Sequence, residues 1–71
     1  MKIEMSEKGK TAFRFLAKEF CFQLLAARPS RNKQPDYIPV MGSNDMNEIQ
    51  EYFELFKKDG YLVTVVNSEN I

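Results

Sequence analysis

The sequence predicts an α+β fold: two amphipathic helices packed on a small sheet of two or three strands, in the order β-α-β-α-β. Two segments place apolar residues at helical spacing, which predicts the two helices. Two others, "YIPVM" and "YLVTVV", are rich in the β-branched and aromatic residues that favour strands. With 71 residues, the chain is expected to form a single domain over residues 1–71 and to bury only a small core.

The first half of the chain predicts a short strand followed by a long helix. Residues 2–5 alternate apolar and polar side chains, as an edge strand does. Ser6 is a suitable N-cap and Pro29 disfavours helix at Arg28, so the helix is predicted to run from Ser6 to about Arg28. The apolar side chains that share one stripe of this helix are Phe13, Leu16, Ala17, Phe20, Leu24 and Ala27.

A basic loop is predicted to separate this helix from the next strand. Residues 28–36 contain two prolines and three basic side chains and have no aliphatic residue beyond proline, which is typical of a loop. The strand predicted at 37–41 contains Pro39, which cannot donate to a strand ladder. We therefore expect this strand to lie at an edge of the sheet or to be interrupted.

The second helix is predicted over residues 45–58. Asp45 is the expected N-cap and Glu48 completes a capping-box pattern, while Gly60 is expected to end the helix. A strand follows at 61–66.

The pairing of the strands stays open at the level of sequence. The strands at 37–41 and 61–66 form a right-handed parallel crossover if they are neighbours, whereas an antiparallel arrangement is possible if the N-terminal strand lies between them. Residues 67–71 are expected to be frayed.

The net charge is zero, but it is distributed unevenly. Residues 1–35 carry eight basic and three acidic side chains, a net charge of +5. Residues 36–71 carry two basic and seven acidic side chains, a net charge of −5. This split predicts either an electrostatic face toward a partner or a basic helix that lies near an acidic one.

Residues suited to catalysis or cofactor binding are scarce. The chain has no histidine and one cysteine, Cys21, so no zinc site, disulfide or nucleophile–base pair is predicted. We expect Cys21 to be a small residue at the edge of the core. Gly9-Lys10-Thr11 matches the end of a phosphate-binding loop, but Glu4 stands where that loop requires its first glycine. We therefore expect neither enzymatic activity nor a cofactor.

A second set of apolar side chains on the first predicted helix is not accounted for by a small sheet. Either the second helix or the 28–36 loop covers it, or it binds a protein partner or a second copy of the chain. Aromatic anchors flanked by Arg and Lys are typical of protein interfaces. The predicted interface residues are Phe15, Phe22, Leu25, Arg14, Lys18 and, from the second helix, Leu55.

Basic residues interleaved with aromatic ones favour a second hypothesis, a nucleic-acid-binding regulator. The zero net charge argues against this hypothesis, because nucleic-acid-binding domains are usually basic. The residues predicted to bind nucleic acid are Lys8, Lys10, Arg14, Lys18, Arg28, Arg31 and Lys33.

The first hypothesis is thus a non-enzymatic protein-interaction module, of the type found among small regulators and inhibitors encoded by phages and plasmids. The longest apolar run contains Lys18, Glu19 and Gln23, so no membrane span is predicted. Residues 2–10 are mostly charged or polar, unlike a signal peptide, and the single cysteine is unpaired. We therefore expect the protein to be cytoplasmic.

Overall fold

The computed structural model describes residues 5–32 and 34–68. Within them, the chain forms two α-helices and three β-strands. Their bounds are α1 Glu7–Ala17, β1 Phe22–Ala27, β2 Ile38–Ser43, α2 Met46–Lys58 and β3 Leu62–Asn67. The three strands form an antiparallel sheet in the order β2-β1-β3, so the predicted α+β fold of two helices on a small sheet is confirmed.

The main correction concerns the second half of the predicted long helix. Instead of continuing to Arg28, α1 ends at Ala17, and residues 22–27 form β1, the central strand of the sheet. Backbone N–H groups of Lys18, Glu19 and Phe20 donate to carbonyls of the last helical turn, which closes the helix without glycine or proline. The strand predicted at residues 2–5 falls almost entirely outside the described residues.

Both local signals at the start of the helices are confirmed. The Ser6 side chain accepts a hydrogen bond from the Gly9 N–H at 3.3 Å, as an N-cap does. The Asp45 side chain accepts from the Asn47 N–H at 2.9 Å. The predicted capping box is modified, because the Glu48 carboxylate accepts a hydrogen bond from the Ser43 hydroxyl at 3.4 Å.

Local sequence features explain the shape of the edge strand β2 and of the turn that leads into the edge strand β3. The strand β2 is an edge strand as Pro39 predicts, and its register shifts opposite Leu24 and Leu25, so that Val40 forms a bulge. Gly60 ends the turn after α2 with a φ of 93°, a conformation that glycine adopts without strain. β2 and β3 are not neighbours, because β1 lies between them.

Two residues of the segment predicted to fray, 67 and 68, take part in backbone pairing. Asn67 belongs to β3, and the Ser68 N–H donates to the Cys21 carbonyl at 2.8 Å. The remaining residues of the predicted frayed segment, 69–71, lie outside the described residues.

The two helices cover opposite faces of the sheet. Gln23 and Gly42 are paired and therefore share a face. On that face, the Gln23 Nε2 atom donates to a carbonyl of α1, at Phe13, over 3.0 Å. Ser43, one residue along β2, points to the other face and bonds to Glu48 of α2. The core consequently has two layers, with β1 buried on both sides.

Candidate protein-binding surfaces

The outward side of α1 is basic and carries a large exposed aromatic ring. The Phe15 side chain is 65% exposed. No acidic residue lies between positions 8 and 18, and the four basic residues there are exposed. We call this surface the α1 face; its residues are Glu7, Lys8, Lys10, Thr11, Arg14, Phe15 and Lys18, so it carries four basic side chains and one acidic one.

A shallow groove runs beside Phe15 on the α1 face. Its walls are mostly apolar, from Ala12, Phe15 and Leu16, and Lys8 and Thr11 lie along its rim. Glu7, at the start of the helix, forms an exposed ion pair with Lys10 at 3.9 Å. Exposed pairs of this kind contribute little to stability, so this contact leaves the face basic and accessible.

The outward side of α2 has the opposite charge. Leu55 is 57% exposed and Tyr52 is 42% exposed. No basic residue lies between positions 45 and 56, and the four acidic residues there are exposed. We call this surface the α2 face; its residues are Asp45, Glu48, Glu51, Tyr52, Glu54, Leu55 and Lys58, so it carries four acidic side chains and one basic one.

The α1 face and the α2 face cannot neutralise each other within one molecule. The sheet separates them, and α1 and α2 make no contact with each other over the described residues. The alternative of a basic helix that lies beside an acidic one is therefore wrong. Each face remains directed toward solvent with its own charge.

The predicted interface residues do not form a single surface. Leu25 is fully buried in the centre of β1, and Phe22 is half-buried at the start of the same strand. The prediction places Phe22 and Leu25 with Phe15 because the predicted first helix runs to about Arg28, whereas α1 ends at Ala17. Leu55 is exposed, but it lies on the opposite side of the sheet from Phe15. Of the predicted set, the α1 face brings together Arg14, Phe15 and Lys18.

The residues predicted to bind nucleic acid are also divided. Lys8, Lys10 and Arg14 lie on α1, and Lys18 is its C-cap residue. Arg28 and Arg31 are exposed in the loop after β1, while Lys33 lies outside the described residues.

A cavity of about 520 Å³ that the sequence did not indicate lies at one end of the sheet. Ala26 and Val40 belong to its apolar part, and Arg28 and Asp36 bring charges of opposite sign to its lining. Asp36 also accepts a hydrogen bond from the Ser6 N–H at 3.0 Å, which joins the loop to the start of α1.

The fold explains the positions of Gly9, which belongs to the partial phosphate-loop match, and of Cys21, the one thiol. Gly9 is buried, and a Cβ atom there would lie 3.1 Å from the Tyr37 carbonyl oxygen, so glycine allows α1 to approach the chain before β2. Cys21 is exposed in the bend before β1, not at the edge of the core as expected, because the helix ends before it. Its N–H donates to the Asn44 side chain at 2.7 Å.

No cluster of histidine, cysteine or acidic residues suited to a metal ion occurs in residues 5–32 and 34–68. Neither helix described by the structure has the length and apolar character needed to cross a bilayer. No protein-family model matches this sequence, and neither the curated proteins nor the solved structures contain a significantly similar chain.

Proposed function

We propose that this protein is a non-enzymatic protein-interaction module, of the regulator or inhibitor type, that binds a partner through the α1 face. The observation that supports this most is Phe15, which leaves 65% of its surface exposed in the middle of a basic helix face. Aromatic side chains and Arg are enriched at protein interfaces, whereas the lysines suit the polar rim of such a contact. The partner is another protein or a second copy of the chain.

The chemistry of the α1 face defines the partner surface it fits. Burying a phenylalanine side chain is worth about 1.5–3 kcal/mol, so Phe15 is one anchor and not a complete interface. The surrounding cations add attraction to an acidic surface and accelerate association at low salt. We therefore expect a partner that offers an apolar pocket with an acidic rim, and binding that weakens as salt increases. The proposal places the module in the cytoplasm, where the exposed Cys21 thiol stays reduced.

The test is capture of a partner by immobilised protein from extracts of the native host. The variant Phe15→Ser removes the anchor, and Ile38→Ser is the matched control, because Ile38 is also apolar and 48% exposed but lies on β2. We expect wild type and Ile38→Ser to retain the same partner and Phe15→Ser to lose it. Retention of the partner by all three proteins contradicts the use of the α1 face.

Nucleic-acid binding is the second candidate, and the observation that favours it is the row of exposed cations on α1. Phosphate neutralisation requires several cations on one surface, which the α1 face supplies. The test is a titration against random-sequence DNA and RNA at low and moderate salt. Affinity at low salt that falls steeply with added salt supports this candidate, whereas no affinity at low salt excludes it.

A further inference from the structure

The α1 face and the α2 face are complementary in charge, and this complementarity lies between molecules. The α1 face carries four basic residues and the acidic Glu7, and the α2 face carries four acidic residues and the basic Lys58. At 1.5 Å per residue, the basic residues from 8 to 18 and the acidic residues from 45 to 54 cover about 15 and 14 Å, so the two charged surfaces are similar in length. Because the sheet separates the helices, the complementary charges of the two faces can attract each other only between two different molecules.

Each face also has an apolar side chain directed away from the sheet. At 100° per residue, Phe15 lies roughly 200° around α1 from the buried Phe13, and Leu55 lies roughly 240° around α2 from the buried Ile49. Leu55 and Tyr52, three residues apart, form an exposed apolar pair on the α2 face. An interface between the two faces therefore has apolar side chains on both sides and opposite charges around them.

We infer that the partner of the α1 face is a second copy of this chain, which offers its α2 face. In this contact, Phe15 of one molecule packs against Leu55 and Tyr52 of the next. The basic residues of one copy then lie against the acidic residues of the other. This inference rests on the proposed function, because it names the occupant of the α1 face.

The geometry of the contact determines the kind of assembly. The two surfaces in contact are different, so the association is heterologous, and each molecule in a pair keeps one free face for a further copy. Growth therefore continues past the dimer unless the rotation closes a ring. A contact between single helix faces is smaller than the roughly 800 Å² per partner of a standard stable interface, so the association is weak.

The first experiment measures association by sedimentation velocity over a concentration series, at about 20 mM and about 300 mM salt, where exposed charges are screened differently. We expect the average mass of the wild type to rise with concentration beyond the dimer at low salt and to fall at high salt. A wild type that stays monomeric at all concentrations overturns the inference. Growth that stops at the dimer also overturns it, because two faces on opposite sides of the sheet cannot both contact the same second molecule, so a closed dimer must use another pairing.

Charge reversal tests which faces are in contact. One variant makes the α1 face acidic through Lys8→Glu, Arg14→Glu and Lys18→Glu. Another changes Glu51→Lys and Glu54→Lys, so that the two new lysines together with Lys58 outnumber Asp45 and Glu48 and make the α2 face basic. Glu48 is kept because it accepts a hydrogen bond from Ser43. We expect neither variant to associate alone. A mixture of the two, or one chain with all five changes, regains association, since opposite charges meet again.

Apolar variants separate a specific contact from general electrostatic attraction. We expect Phe15→Ser and Leu55→Ser each to require at least about a tenfold higher concentration for the same average mass, while Ile38→Ser behaves like wild type. Circular dichroism is measured for every variant to check that it is folded. Failure of the five-change chain to regain association, or equal association by Phe15→Ser and wild type, overturns the inference.

The outcome also separates this inference from the proposed function. If the wild type is monomeric but Phe15→Ser loses a partner captured from extracts, the second copy is wrong and the α1 face remains a protein-binding surface. If the α1-face variants lose affinity for DNA or RNA rather than for a protein, both the inferred second copy and the proposed protein-binding function are wrong.

Discussion

The two helices are built alike on the side that meets the sheet and differ on the side that meets solvent. Each begins at a side-chain cap, Ser6 in α1 and Asp45 in α2, and each buries one large apolar residue, Phe13 or Ile49. Their outward sides have opposite charge. The inner sides satisfy a requirement shared by helices that pack on sheets, so they determine the fold and carry little information on function. The outer sides are free of that requirement, and function is to be sought there.

The largest effect that tests this comparison comes from truncating the inner residues. Phe13→Ala and Ile49→Ala should each lower the free energy of unfolding by about 3–4 kcal/mol, because each leaves a cavity in one of the two core layers. A chain of this size has a total stability of roughly 4–10 kcal/mol, so either variant should be partly unfolded at 37 °C. Urea denaturation followed by circular dichroism measures the loss.

The matched control for α1 is only two residues away. Phe15→Ala should change the free energy of unfolding by less than about 0.5 kcal/mol, because the side chain is 65% exposed. If Phe15→Ala were as destabilising as Phe13→Ala, the distinction between the two sides of α1 would be wrong.

A buried polar group on the α1 side provides the second prediction. Gln23 is fully buried, and its Nε2 atom donates to the Phe13 carbonyl and to the Ser68 hydroxyl. Among the described residues, no group donates to its Oε1 atom. Gln23→Glu should lower the free energy of unfolding by about 3 kcal/mol at pH 7, because it buries a carboxylate beside acceptors and without a cation.

This loss should depend on pH with a defined sign. Burial raises the pKa of the new carboxyl in the folded state above its unfolded value of about 4.3. The loss relative to wild type is therefore smallest at pH 4 and grows as the pH rises above the unfolded pKa. Urea titrations of both proteins at pH 4 and pH 7 measure it; a loss that is equal at both pH values contradicts the burial of this group.

How much could be predicted from the sequence depends on whether several local signals agree. For α2 they do: the Asp45 cap, the apolar periodicity and Gly60 together predict 45–58, and the helix is Met46–Lys58. For α1 they do not, because no glycine or proline marks its end. The strand β1 is buried on both faces, so it shows no alternation and was mistaken for more helix.

The same error explains what was missed in the candidate site. Phe15 could be identified as an apolar residue outside the main stripe, because this depends only on the spacing of its neighbours in the same helix. The separation of Phe15 from Leu25 and Leu55 could not be predicted. This separation depends on where α1 ends and on which side of the sheet each helix packs. Those features arise from tertiary packing and leave no periodic signal in the chain.

The third prediction concerns the close contact by which the α1 layer meets β2. A Cβ atom on Gly42 would lie 2.6 Å from the Phe20 ring, so glycine lets this ring lie against the sheet. Gly42→Ala should lower the free energy of unfolding by about 1–3 kcal/mol, because the ring must move. Thermal denaturation measures this change, and the double variant Gly42→Ala/Phe20→Ala should lose less than the sum of the single variants. Strict additivity would show that the two residues do not meet.

The smallest expected effects test whether the caps of the two helices are equivalent. Ser6→Ala and Asp45→Ala should each cost about 1 kcal/mol, since each removes the acceptor for one N–H of the first helical turn. The Asp45 variant should lose slightly more at low salt, because its carboxylate also favours the positive end of the helix dipole, whereas the Ser6 hydroxyl is uncharged. Urea denaturation at two salt concentrations separates these contributions. A salt-dependent loss for Ser6→Ala equal to that for Asp45→Ala would contradict the assignment of the extra stability to charge, and would leave hydrogen bonding as the common cause.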